Sequence, residues 1–385
     1  MLDYLGLSET LTREERMARD TAREFADDVR DDVVESYREG RFPVECIPEM
    51  GDLGFYAPHL EGYDLAGTTD RAYGLVMQEL EACDSGLRSM ASVQGALVIY
   101  PIHTYGSERQ RERYLPDLAT GDLVGCFGLT EPEHGSNPAG METRAERDDE
   151  GYRLNGAKTW ITNAPIADIA VVWARVDDGE GPVRGFVVET DRDGVSTAPI
   201  DDKLSMRASS TGEIHLDDVW VPAESLLPDV EGMKGPLSCL TQARYGIAWG
   251  AVGAARDCFE EALAYAGDRD QFGGPIARFQ LQQEKLAEMA TQITLGQLLA
   301  YRLAELKSGG DLRPEQVSMA KRNNVRTARD QARVAREMLG GNGITLDYSP
   351  MRHMANMETV YTYEGTHDIH TLILGNDLTG FAAFE

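Results

Sequence analysis

Near the C-terminal end of the 385-residue chain, Thr362-Tyr363-Glu364-Gly365-Thr366-His367-Asp368-Ile369-His370 joins two segments of helical character. A lone carboxylate between an aromatic ring and a Gly-Thr pair is an odd helix junction, and the glycine lets a ligand or another backbone come close. Delivered to a cofactor and a substrate, Glu364 would act as a catalytic base; left in solvent, it would be a helix-capping Glu. His367 and His370 stand three apart, but no second ligand pair accompanies them, so no metal site is expected.

Four other stretches carry groups suited to binding. Phe127-Gly128-Leu129-Thr130-Glu131-Pro132-Glu133-His134-Gly135-Ser136-Asn137-Pro138 leaves a strand for a turn-rich loop. Its amides and the Thr130 and Ser136 hydroxyls suit a polar ring edge or a phosphate, unless they only make turns. Trp160-Ile161-Thr162-Asn163 ends another strand, where an aromatic face suits a planar ring or merely half-buries itself. In Arg269-Asp270-Gln271-Phe272-Gly273 the Arg suits a phosphate or answers a helix dipole. Leu87-Arg88-Ser89-Met90 sets an Arg beside an apolar helix, where it needs a carboxylate from Asp84, Glu81 or a ligand. Neither a G-x-G-x-x-G after a strand nor a P-loop occurs, so any nucleotide cofactor binds in another way.

The elements that must position these groups come as helices, then strands, then helices. Thr12-x-x-Glu15 reads as a capping box, and Met17, Thr21, Phe25 and Val29 behind it as one apolar stripe. Helices are expected at 43–54, from Asp70 towards Cys83, across 89–103 as a buried helix, and at 108–118 capped by Ser107. From Asp122, short β-branched runs alternate with turn signals such as Asn155-Gly156 and Asp193-Gly194, which predicts a small antiparallel β-barrel or sandwich. From Gly235, long helical patterns return and predict a four-helix bundle. The expected domains are 1–121, 122–234 and 235–385; 385 residues exceed what one core usually holds.

The net charge of −28 is spread along the chain, which argues against nucleic-acid binding. Only 6 Lys stand against 31 Arg, none before Lys158, and such an evenly acidic surface fits a halophilic cytoplasm. No apolar run is long enough to span a membrane, and no secretory signal is visible. Cys46, Cys83, Cys126, Cys239 and Cys258 form no C-x-x-C and are expected as reduced thiols.

Weak singly, these signals are specific together. In Arg88–Gln94, Cys126–Pro138, Lys158–Asn163, Ala243–Trp249, Lys321–Asn324, Met338–Ile344 and Thr362–Gly375 the chain resembles the acyl-CoA dehydrogenase family, and within it the branch that oxidises glutaryl-CoA. The resemblance implies an N-terminal helical domain, a middle β domain and a C-terminal four-helix bundle. It implies FAD as cofactor and a homo-oligomer, a tetramer, whose paired subunits complete each other's sites. It places FAD on Phe127, Leu129, Thr130, Gly135, Ser136, Trp160, Ile161, Thr162, Arg269, Phe272, Gln280, Thr366 and Phe384, with Glu337, Met338, Leu339, Gly340 and Gly341 reaching it across the subunit interface. It places the acyl-CoA on Ser136, Leu237, Arg244 and Gly365, and a distal carboxylate on Arg88 and Ser89, with Glu81 and Tyr363 in the same pocket.

Glu364 matches the family's base. It would take the α-proton while the β-hydrogen leaves as hydride to the flavin, the enolate being held by a ribityl hydroxyl and the base's own N–H. Burial should raise its pKa. Glutaryl-CoA would give crotonyl-CoA and CO2, with electrons passed to an electron-transfer flavoprotein. The alternatives are a short-chain acyl-CoA dehydrogenase, a non-decarboxylating glutaryl-CoA dehydrogenase and a non-catalytic acyl-CoA- or flavin-binding helical protein. Asn137 in place of an Asp, and Ala82 after Glu81, depart from the family pattern.

Overall fold

The computed structural model describes residues 3–179 and 181–383. Phe384, expected as a cofactor contact, lies outside them. The N-terminal third is helical: α1 (Arg13–Asp28), α2 (Arg30–Glu39) and α3 (Ile47–Asp52), a small ribbon of β1 (Glu61–Gly62) and β2 (Leu65–Ala66), then α4 (Asp70–Cys83), α5 (Ser85–Ser92), α6 (Tyr100–Tyr105) and α7 (Glu108–Thr120). Thr12 accepts from the Glu15 N–H at 3.2 Å and Glu15 returns the bond at 2.9 Å, so the capping box at α1 is real. Only half of the apolar stripe lies where a spacing of four puts it: Phe25 and Val29 are buried, but Met17 is 62 % exposed, and α1 buries Glu15, Ala22 and Ala26 instead. Four residues overshoot one turn by about 40°, so such a row winds off the buried face. Residues 89–103 are not one uniform helix either. Between α5 and α6, Val93–Ile99 forms a wholly buried π-helical segment, a form frequent at functional sites.

The middle unit is one sheet of β3 (Gly125–Gly128), β4 (Arg144–Asp148), β5 (Gly151–Thr162), β6 (Ile169–Val176), β7 (Val183–Glu189), β8 (Val195–Pro199) and β9 (Thr211–Pro222). The order is β3-β6-β4-β5-β9-β8, with β7 also on β6. It is mainly antiparallel as expected, except that β3 and β4 both run parallel to β6. Asn155-Gly156 makes a bulge rather than a turn: β5 runs through it and the register against β9 shifts between Leu154 and Gly156. Gly156 has φ 151°, and a Cβ there would lie 2.5 Å from the Thr143 hydroxyl.

Five helices follow: α8 (Lys234–Asp268), α9 (Gln280–Ser308), α10 (Pro314–Met338), α11 (Pro350–Thr362) and α12 (His367–Thr379). The long α8 is buried along most of its length and packs on α4 as well as inside the bundle. That packing needs small residues at the contact: a Cβ on Gly250 would sit 2.1 Å from Glu81 Oε2. All five cysteines are free and buried. Burial pushes the Cys46 thiol up to about 11 and those of Cys83 and Cys126 to about 12. Among the described residues no helix is long and apolar enough to cross a membrane.

Candidate active site

A cleft of about 670 Å³ opens where the three parts meet. One wall is the end of β3 and its loop, with Phe127, Leu129, Thr130, Gly135 and Ser136; a second is the end of β5, with Trp160, Ile161 and Thr162. Leu237 and Arg244 of α8 and the junction Tyr363-Glu364-Gly365-Thr366 close it from the helical side, and Val93 and Leu97 of the π segment from below. Fourteen residues singled out from the sequence thus converge on one hollow (Phe127, Leu129, Thr130, Gly135, Ser136, Trp160, Ile161, Thr162, Leu237, Arg244, Tyr363, Glu364, Gly365 and Thr366). A second register shift, between Lys158 and Ile161, leaves Trp160 at φ 59° and 63 % exposed at the rim.

The Glu364 junction is held open by its neighbours. Glu364 has φ 50°, a left-handed conformation that side-chain-bearing residues adopt at a cost. Capping of α12 falls to Thr366, whose hydroxyl accepts from the Ile369 N–H at 3.1 Å, so Glu364 is not the cap. The Arg244 Nε donates to the Glu364 carbonyl at 2.7 Å. Lys321 of α10 donates its Nζ to the carbonyls of Tyr363, Glu364 (3.4 Å) and Gly365 (2.8 Å). Glu364 Oε2 is enclosed and has no protein partner. Burial raises the Glu364 pKa above the ordinary carboxylate value, against the opposing pull of Lys321, Arg88 and Arg244. His370 is buried beside it with both ring nitrogens unpartnered, and burial with the nearby Lys321 and Arg244 charges pushes it down to about 2.

Behind Tyr363 lies a buried charge cluster. Arg88 is fully buried; its Nε donates to Glu81 Oε2 at 2.6 Å and its Nη2 to the Tyr363 hydroxyl. Glu81, rather than Asp84, is therefore the partner; Asp84 instead accepts from Arg352 at 2.6 Å. Arg88 Nη1 and Glu81 Oε1 remain unpartnered, an arrangement that is costly unless a ligand meets it. Ser89, on the same helix, is buried. Arg88, Ser89 and Glu81 do not line the cleft wall itself; Arg88 reaches it through Tyr363.

Two features of the site were not read from the sequence, although both lysines concerned stand in stretches that carry the resemblance. Lys321 is one. The other is the foundation of the β3 loop: the buried Lys158 donates to Glu131 Oε1 at 2.7 Å and to the Leu129 carbonyl at 3.2 Å. Glu131 also accepts the N–H groups of Glu142 (2.6 Å) and Thr143 (2.9 Å). Burial lowers Lys158 to about 8 against the attraction of Glu131. Both features join residues far apart in sequence.

The remaining sequence candidates gather elsewhere. Arg269 follows the C-terminal end of α8, Phe272 is 89 % exposed just beyond, and Gln280 opens α9. Glu337 and Met338 end α10, with Leu339, Gly340 and Gly341 after them, and Lys285 of α9 reaches Glu337 at 2.8 Å. These eight residues share one end of the bundle and none lines the cleft of the same chain.

Comparison with known proteins agrees with this geometry. The acyl-CoA dehydrogenase N-terminal, middle and C-terminal domain families match residues 12–122, 126–219 and 231–379. The probable acyl-CoA dehydrogenase YngJ of Bacillus subtilis is 35% identical over 376 residues, 96% of this chain and 98% of that protein. The glutaryl-CoA dehydrogenase of Desulfococcus multivorans is 35% identical over 351 residues, 89% of this chain and 90% of that protein. A crystal structure of a glutaryl-CoA dehydrogenase from Mycobacterium smegmatis in complex with FADH2 superposes with a TM-score of 0.97 at 50% identity, covering 100% of this chain and 99% of the other. The helical, β and helical parts with the cleft between them are accordingly those of an enzyme, and the chain belongs to the acyl-CoA dehydrogenase family.

Proposed function

We propose that the protein oxidises glutaryl-CoA at the bond between its α- and β-carbons and that the product loses CO2 to give crotonyl-CoA. One observation carries this reading: Glu364 Oε2 and Arg88 Nη1 are buried, partner-free atoms of groups of opposite charge type, and Arg88 bonds the hydroxyl of Tyr363, the residue before Glu364. The first suits an α-proton, the second a distal carboxylate. The cleft fits FAD, because apolar Phe127, Leu129 and Ile161 alternate with the hydroxyls of Thr130, Ser136 and Thr162, as a flat ring with a polar edge requires. FAD bound there supplies the acceptor for the β-hydrogen and its electron pair.

Glu364 removes the α-proton onto Oε2, its raised affinity for a proton bringing it closer to the weak carbon acid. The Glu364 N–H is the donor for the thioester oxygen as negative charge develops there. Leu237, Leu240 and the π segment exclude water from the acyl chain. After oxidation the γ-carboxylate leaves as CO2, and protonated Glu364 returns its proton to the dienolate. Ser136, Leu237, Arg244 and Gly365 flank the thioester arm; Arg269, Phe272, Gln280, Thr366 and the 337–341 segment complete FAD sites, those at the far bundle end serving a second copy in a homotetramer. Electrons pass on to an electron-transfer flavoprotein in the cytoplasm.

A second reading, a short-chain or non-decarboxylating dehydrogenase, is favoured by the ion pair that already gives Arg88 a partner in Glu81. Anaerobic titration of the purified flavoprotein with glutaryl-, butyryl- and longer acyl-CoAs, with product analysis, tests both. Glutaryl-CoA should bleach the flavin and release CO2 and crotonyl-CoA. Glu364→Gln should keep FAD and lose bleaching by about 10³-fold or more. Bleaching at the normal rate in that variant would remove Glu364 as the base.

A further inference from the structure

We infer that Lys321 is a positioning residue: its ammonium, seated on the three successive carbonyls of the catalytic junction, fixes the left-handed turn at Glu364 and strengthens that residue's N–H as a donor. The inference rests on the reading of Glu364 as the base. Three carbonyls, those of Tyr363, Glu364 and Gly365, converge on one Nζ. An ammonium has three N–H groups to satisfy them; a neutral amine has two and would turn its lone pair on the third. Burial pushes Lys321 down, and the Glu364 carboxylate opposes that push. The geometry favours the charged form, so the proton affinities of Lys321 and Glu364 belong to the pair.

The peptide unit explains the second effect. The Tyr363 carbonyl and the Glu364 N–H are two ends of one amide. A cation on the carbonyl polarises that amide and makes its N–H a better donor, as in any hydrogen-bonded chain. Arg244 acts on the next unit through the Glu364 carbonyl. The seat is rigid: one turn after Lys321, Asn324 Nδ2 donates to the Ala248 carbonyl of α8 at 2.8 Å and to the Gly296 carbonyl of α9 at 3.2 Å. The charged and titratable groups facing Glu364 are Lys321 from α10, Arg244 from α8, Arg88 from α5, Glu81 and Tyr73 from α4, and His370 from α12. Of these cations, Lys321 alone touches all three carbonyls.

The test follows the Glu364 carboxyl by difference infrared spectroscopy of the holoenzyme against pH, with Glu364→Gln identifying its band. In Lys321→Met the protonation midpoint should rise by about 1 to 3 pH units, with kcat down about tenfold or more and KM changed less than about twofold. Lys321→Gln, which retains a donor, should show the same upward move with a smaller loss of Tm, and Lys321→Arg should restore the wild-type midpoint. An unchanged midpoint in both neutral variants, with activity lost only in step with Tm and FAD occupancy, would make Lys321 a mere packing residue. Because the titration needs no thioester, a wild-type flavin that no acyl-CoA bleaches would count against the proposed reaction and leave the midpoint test intact.

Discussion

On the proposed reading, Arg88 recognises the substrate and Glu364 reacts with it, and the two roles can be separated experimentally. Losing Arg88 removes a charge-assisted contact to a distal carboxylate, so Arg88→Ala should cut glutaryl-CoA turnover by about 10- to 100-fold while butyryl-CoA turnover falls far less; equal losses would end the carboxylate assignment. The single change also strands the buried Glu81, so Arg88→Ala with Glu81→Gln is the cleaner measurement. On the same reading, the acid limb of the pH–rate profile should belong to Glu364. A base must be unprotonated, so the rate should rise with pH through a midpoint above the ordinary carboxylate value. At this scale, what could be read in the sequence were groups whose partners lie nearby in the chain, such as Glu81 seven residues before Arg88. Lys321 donates to residues 42 to 44 positions away and stands in a helix that otherwise reads as ordinary amphipathic surface. No local spacing announces such a clamp.

Elements hold these groups through a few buried ion pairs, of which Glu79 on α4 is the most connected. It accepts two bonds from Arg23 of α1 at 3.0 Å each and two from Arg256 of α8 at 2.7 and 2.6 Å. Burial alone would raise its pKa, but the two guanidiniums bring it from 4.5 down to about 2. A depressed carboxylate contributes its stability in full above the unfolded value and loses it as the pH falls through the folded one. Acid titration should therefore loosen the junction of α1, α4 and α8 between about pH 5 and pH 2. Glu79→Gln should cost about 3 to 5 kcal/mol at neutral pH and flatten that acid slope; a denaturation series across pH reads both. The ends of elements were legible where chemistry is local: Thr12 and Ser107 cap as their spacing predicts, and α4 starts at Asp70. Asn155-Gly156 misled because the same dipeptide serves a hairpin and a bulge, and only pairing with β9 distinguishes them. The π segment was invisible for a similar reason: its residues are buried all round and, Gln94 apart, carry no polar side chain, leaving no periodicity to read.

As a whole molecule the protein carries 65 acidic against 37 basic side chains. Like charges crowd the folded surface more than the unfolded chain, and screening relieves that repulsion. Stability should therefore rise steeply between dilute buffer and molar salt, as expected of a chain from a halophile; full stability in dilute buffer would remove the idea. The five buried cysteines turn this bulk expectation into a regional one. Cys46 and Cys83 lie among the first helices, Cys126 in the sheet and Cys239 and Cys258 along α8. Shielded and held as thiols, they should resist a maleimide in the folded enzyme. Each becomes reactive when its own surroundings open. The sequence in which they are alkylated as salt is withdrawn, read by peptide mass spectrometry, would report which part of the enzyme gives way first.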